Sequence, residues 1–332
     1  FIVLSGIAVV ISLLVWRYIV ISIKRYHQGK PSIWYNSFVP YTCQYDDIPS
    51  NIPFCLNPGN VIRRDFRLDV NEESYDDSIV KFLTLNMEMG KKLKDILEMF
   101  KKEKPDIVFL QEVDVGTKRN GNIDSIKELA CALNMDSAYI PQTVFDTGSE
   151  GNAILSKYPI IEAQGFYLDC QRVPKHAKKI HYACSAVVQS PFGNIGCCSI
   201  HIDTHCGVTG RINQFKQLMP YIVEQKNTFN LKYQAIAGDF NTLCHGVLRM
   251  IPRLSPDKMS RTGTLGEREA VYFQKHAVES CNMEYQLDFN DPFCKKKDYT
   301  VKMNALYAGK LDWCLIRNNS MKVIDKKIGS RR

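Results

Sequence analysis

The sequence predicts a mixed α/β domain, with a mixed sheet or a pair of sheets covered by helices, behind a single membrane-spanning segment. Three observations predict it. Apolar β-rich runs and amphipathic helical stretches alternate from residue 79 to about 135, a strand-rich middle follows, and residues 1–23 form an apolar run. The 332 residues are 45% apolar and 23% charged, which excludes a disordered tail, a collagen-like repeat and a polytopic membrane protein. Lys plus Arg number 43 against 35 Asp plus Glu, a net charge of +8. That excess favours anionic partners such as phosphates, nucleic acid or acidic lipid, without choosing among them.

From Phe1 to Trp16 no residue is charged, and after Arg17 the apolar character resumes up to Ile23. A run of this length spans a hydrocarbon core, with Arg17 near one end where it can snorkel. A cleaved signal peptide would have a shorter apolar region and a small-residue cleavage site, which is not seen. Lys24, Arg25 and Lys30 follow at once and place the next domain on the cytoplasmic side. The twelve cysteines match no zinc spacing, and in a chain this long they read as reduced thiols. Prolines at 31, 40, 49, 53 and 58, then an acidic stretch over 65–77, read as a juxtamembrane stalk and irregular lead-in covering 24–77.

The domain proper is expected over 78–332. Residues 79–87 read as a strand and 91–104 as an amphipathic helix, with Leu93, Ile96, Leu97 and Phe100 on one face and Pro105 as its stop. A buried strand over 106–114 follows, then a helix over 122–135. Residues 151–160 read as a strand, and 184–203 as a hairpin turning at Ser190–Gly193. Residues 211–226 read as a helix that Pro220 kinks, and 235–241 and 310–318 as two last strands.

Four of these strands end in residues suited to a hard cation or a phosphate: Asn86 and Glu88; Gln111, Glu112 and Asp114; His201 and Asp203; Asp239 and Asn241. A fifth carries Asp312. One buried carboxylate is usually a satisfied structural group, but five strands converging in this way are harder to explain by structure alone. Oxygen and amide donors without a cysteine cluster suit Mg²⁺ or Mn²⁺ better than Zn²⁺.

The ordered set LNMEMG, FLQEVD, GNAILSKYPI, SIHIDTHCG, AGDFN and KLDW resembles the endonuclease/exonuclease/phosphatase superfamily, the deoxyribonuclease-like fold. The resemblance implies a four-layer αββα sandwich of two mixed sheets. It implies that Asn86 and Glu112 hold the catalytic divalent metal, with Glu88 as an outer ligand. Asp239 then activates the attacking water, Asn241 contacts the phosphate, His201 steadies the transition state and Asp312 orients a C-terminal histidine. Asn152 falls near the site. The family's Ser-Asp-His signature is missing; together with Phe1 in place of Met, this reads as a chain cut at both ends, the alternative being an inactive copy.

Arg211 and Gln214 are expected to brace the loop after His201. The stretch Arg172, Lys175, His176, Lys178, Lys179 and His181 reads equally as a guide for a phosphate-bearing substrate, through Arg172, and as an exposed loop. The substrate itself stays open between a lipid headgroup and nucleic acid. The anchor favours a sphingomyelinase-like lipid substrate by raising the local concentration of headgroups. A tethered nuclease and an inactive binding module are the alternatives.

Overall fold

The structure, a computed structural model, describes residues 58–68, 79–145, 147–169, 180–204, 206–242, 269–293, 300–304 and 307–329. Its strands are β1 (Ile62–Asp65), β2 (Phe82–Asn86), β3 (Ile107–Val115), β4 (Asp136–Val144), β5 (Ser149–Ser156), β6 (Ile160–Leu168), β7 (His181–Ser190), β8 (Gly193–His201), β9 (Tyr233–Asp239), β10 (Phe289–Asn290), β11 (Val301–Asn304), β12 (Tyr307–Gly309) and β13 (Asp312–Arg317). Five form one sheet in the order β1-β4-β5-β3-β2, and six form a second in the order β10-β13-β9-β8-β7-β6. Both sheets are mixed, because β2–β3 and β8–β9 are parallel pairs among antiparallel ones.

Period-two alternation builds the layers. In β3, Ile107 and Phe109 face the second sheet, whereas Val108 and Leu110 face the helices. In β8 and β9, Ile195, Cys197, Ala235 and Ala237 face the first sheet, and Cys198, Ile200 and Ile236 face outward. Helices α1 (Leu93–Glu103) and α2 (Ser125–Leu133) cover the first sheet with Phe100, Ile126 and Leu129. Helix α3 (Val208–Thr228) covers the second with Ile212, Phe215 and Leu218. Beside it, α4 (Glu269–Phe273) runs through a π-helical turn into α5 (Ser280–Tyr285).

Local chemistry sets the helix ends. Lys104, ahead of Pro105, takes a left-handed φ of 47° and returns its N–H to the Phe100 carbonyl. The Asp124 carboxylate caps α2 by accepting the Lys127 N–H. Pro220 does not end α3. It lies on the exposed side of the helix.

Several expectations are corrected. Part of the lead-in expected over 24–77 is a strand: β1 pairs with β4 from Ile62↔Tyr139 to Asp65↔Asp136. Arg63 reaches across from β1 to the carbonyls of Ile160 and Ile161 on β6, tying the two sheets at that edge. The strand expected over 151–160 ends at Ser156, and a turn separates it from β6, whose alternation of buried and exposed residues was not read as a strand. Strand β4 was read as part of no element. Among the described residues no helix is long and apolar enough to cross a membrane; residues 1–23 lie outside them.

Candidate active site

Both β-α-β units deliver their parallel strands to the same pole of the sandwich. Asn86 is the last residue of β2; His201 and Asp239 end β8 and β9 side by side in register, and Asp312 opens β13 directly opposite Asp239. Glu112 arrives differently. The pairing of β3 with β5 slips between Leu110 and Val113, and Glu112 sits in that bulge with φ of 50°. The outward face is taken by residues 108 and 110 and then by 113 and 115, so Glu112 is the extra residue, turned away from both regular faces. A left-handed glutamate costs roughly 1 kcal/mol or more, and such strain collects at functional sites.

The sequence around these residues allows close backbone approach. Gly151 lies between the β3 bulge and a second bulge in β4 at Gln142; a Cβ there would stand 1.9 Å from the Ile140 carbonyl oxygen. Gly238, with φ of 150°, does the same beside the Ile200 carbonyl, which is why a glycine precedes Asp239.

One amide joins the two sheets at this pole. Asn86 Nδ2 donates to Glu112 Oε1 at 3.1 Å and to Asp239 Oδ2 at 3.1 Å. His201 Nε2 stands 4.0 Å from the same Glu112 oxygen. Asp239 Oδ1 accepts the Asn241 backbone N–H at 2.9 Å, so both carboxylate oxygens are fixed. Asn241, itself at φ of 51°, gives its side-chain amide to the Ile202 carbonyl at 2.8 Å, and thus braces the turn after His201. Neither Glu112 nor Asp239 is paired with a Lys or Arg among the described residues.

Glu88 is exposed, and its backbone N–H donates to Asn86 Oδ1 at 3.0 Å. Asn152 is fully buried and donates Nδ2 to the Tyr182 carbonyl at 2.9 Å, so here it braces β7 and does not face solvent. Asp312 donates its N–H to Thr300 Oγ1. Arg172, His205 and His245 lie outside the described residues. Arg211 and Gln214 brace the loop as expected. Gln214 Oε1 accepts the Asp203 N–H at 2.9 Å, and Arg211 donates to the Cys206 carbonyl at 2.6 Å while pairing with the buried Glu269.

His181 is a correction. It was grouped with an exposed basic stretch, but it is 2% exposed at the head of β7. The signal that places it was available: His181 opens the alternation that continues through Ala183 and Ser185. Gln142, which donates to the Tyr182 carbonyl at 2.6 Å, had no signal, since only the bulge aims it there.

The donor set fits a hard divalent ion. Two carboxylates share one neutral amide with no strong cation beside them, and one carboxylate plus an amide oxygen suits an ion that keeps most of its waters. Among the described residues no three His, Cys, Asp or Glu side chains converge on one point, so the ligand set is sparse. Cys184, Cys197 and Cys198 are buried in the layers between and behind the sheets.

Two mixed sheets flanked by helices, with amide, carboxylate and imidazole groups at one pole, are the architecture of the deoxyribonuclease-like fold. The chain belongs to the Endonuclease/Exonuclease/phosphatase family, whose model matches residues 83–249. Members of this family are hydrolases of phosphoester bonds and are generally dependent on divalent metal. A search of curated proteins returns no match. Among solved structures, an endonuclease/exonuclease/phosphatase family protein from Leptotrichia buccalis is similar at 17% identity, covering 72% of this chain and 87% of its own, with a TM-score of 0.48. A beta-hairpin deletion mutant of beta toxin from Staphylococcus aureus is similar at 16% identity, covering 77% and 94%, with a TM-score of 0.48. The human Nocturnin catalytic domain is similar at 15%, covering 78% and 85%, with a TM-score of 0.47.

Proposed function

We propose that the chain is a membrane-tethered, divalent-metal-dependent phosphodiesterase, with a phospholipid headgroup of the sphingomyelin kind as its favoured substrate. The observation that carries the catalytic part is the shared hold of Asn86 on Glu112 and Asp239, with His201 beside them. Asp239 is the base. Its carboxylate is aimed by two N–H donors and accepts the proton of the attacking water. His201 donates to an oxygen of the phosphate as negative charge builds there. Asp312, in register with Asp239, adds the third carboxylate of the pole. Asn86 and Glu112 would hold the divalent ion, with Glu88 at its margin. When bound, that ion supplies positive charge to the non-bridging phosphate oxygens.

The membrane part rests on the sequence. Residues 1–23 form the anchor, and the Lys24, Arg25 and Lys30 flank sets the domain on the cytoplasmic side. A tethered site meets lipid headgroups at high effective concentration.

The test is hydrolysis of bis(p-nitrophenyl) phosphate by the full chain with Mg²⁺, Mn²⁺ or EDTA, beside D239N. EDTA-sensitive turnover lost in D239N supports the reading, and a folded chain with no turnover in either metal overturns it. Sphingomyelin vesicles and an oligonucleotide then separate the substrates. Cleavage of the oligonucleotide alone, falling steeply with salt, makes the protein a tethered nuclease instead.

A further inference from the structure

We infer that His181 is a positioning residue for this site, holding the turn that carries His201 from the side opposite the reacting groups. The inference rests on the reading that His201 serves phosphoester cleavage. His181 Nδ1 lies 3.2 Å from the His201 carbonyl oxygen, and its Nε2 lies 3.7 Å from Asp203 Oδ2. One ring therefore spans both ends of the three-residue segment His201–Asp203. The His181 and His201 rings stand edge to face, 78° apart at 6.5 Å between centroids, so the orientation of one limits the other.

His181 is itself fixed from the other sheet. The carbonyl of the next residue, Tyr182, receives Asn152 Nδ2 from β5 and Gln142 Nε2 from β4. The route runs from the first sheet through β7 to the His201 turn. It places His201 relative to Glu112, although the two residues lie on different sheets. Packing alone does not require a histidine here, because an apolar ring of the same size fills the space. What imidazole adds is one ring nitrogen within hydrogen-bond reach of the His201 carbonyl, with the other 3.7 Å from the Asp203 carboxylate. The contacts of His181 are with the His201 carbonyl and the Asp203 carboxylate, so it acts on the reaction through His201.

The test uses the full chain, bis(p-nitrophenyl) phosphate and saturating Mg²⁺, with H181F and H181N. Phenylalanine keeps the ring volume and removes both nitrogens; asparagine keeps a donor near the Nδ1 position. H181F is expected to lower kcat about 10–100-fold, as loss of an orienting partner does, with KM and the Mg²⁺ midpoint within about twofold. H181N is expected to recover most of that loss. Wild-type kcat in H181F overturns the inference. So does a fall in kcat, KM and thermal stability together that H181N does not relieve, which is the mark of a merely structural residue. A readout without turnover separates this from failure of the proposed function: the ¹⁵N signals of the His201 ring in the wild type and H181F. Unchanged His201 signals overturn the inference, and they do so even if the protein hydrolyses nothing.

Discussion

Replacing Arg211 by methionine asks how the loop behind His201 is kept in place. The guanidinium is 3% exposed and Glu269 is 1% exposed, so the pair is out of water. Arg211 Nε donates to Glu269 Oε1 at 2.7 Å, and Nη2 donates to the same oxygen. Its Nη1 serves the carbonyls of Cys206 at 2.6 Å and Asp203 at 3.3 Å. Removing one partner of such a pair costs roughly 3–5 kcal/mol, most of it for the charge left behind. The lost carbonyl bonds fall within that figure, since methionine refills part of the volume. With about 2–4 °C per kcal/mol for a domain of this size, the melting temperature falls by roughly 6–20 °C. Total stability of about 5–15 kcal/mol leaves R211M folded but marginal.

Urea unfolding of the full chain measures the effect. Adding E269Q removes the stranded charge and returns roughly 2 kcal/mol. A loss below about 1 kcal/mol, or no recovery in the double variant with E269Q, would refute the argument that the buried charge dominates.

Two further outcomes follow from the same geometry. E112G removes a left-handed side chain and its repulsion with Asp239, so it should unfold at higher urea, a gain of about 1 kcal/mol, while abolishing turnover; a less stable E112G would mean that the bulge is not strained. Burial pushes the Cys184 and Cys314 thiols up to about 12 and Cys281 to about 11, and Cys197 and Cys198 also rise. Because the thiolate is the reactive form, iodoacetamide at pH 8 should label the exposed Cys131 and spare these five until the chain unfolds, as peptide mass spectrometry would show.

The family and most elements were legible because they are local. Leu93, Ile96, Leu97 and Phe100 recur at helical spacing whatever surrounds them, and β3 and β8 are apolar runs bounded by polar ends. Strands β4 and β6 were missed for opposite reasons. The first mixes Tyr, Pro, Gln and Thr yet is buried at every residue but Thr143, while the second alternates weakly on an edge. β1 was hidden because IRRD has little apolar character; β4 beside it and the reach of Arg63 to β6 make it a strand.

The sequence by itself determined which side chains stand at the strand ends: Asn86, His201 and Asp239 where an apolar run gives way to polar residues, and Asp312 where one begins. Only the tertiary structure decided what those residues do for one another. Whether Asn86 is a lone amide or the bridge between Glu112 and Asp239 depends on two sheets meeting at one pole. Whether His181 belongs to a surface loop or to the support of His201 depends on the pairing that starts β7 at that residue. Periodicity is written in neighbours along the chain, but a contact across 153 residues is written only in the packing that brings them together.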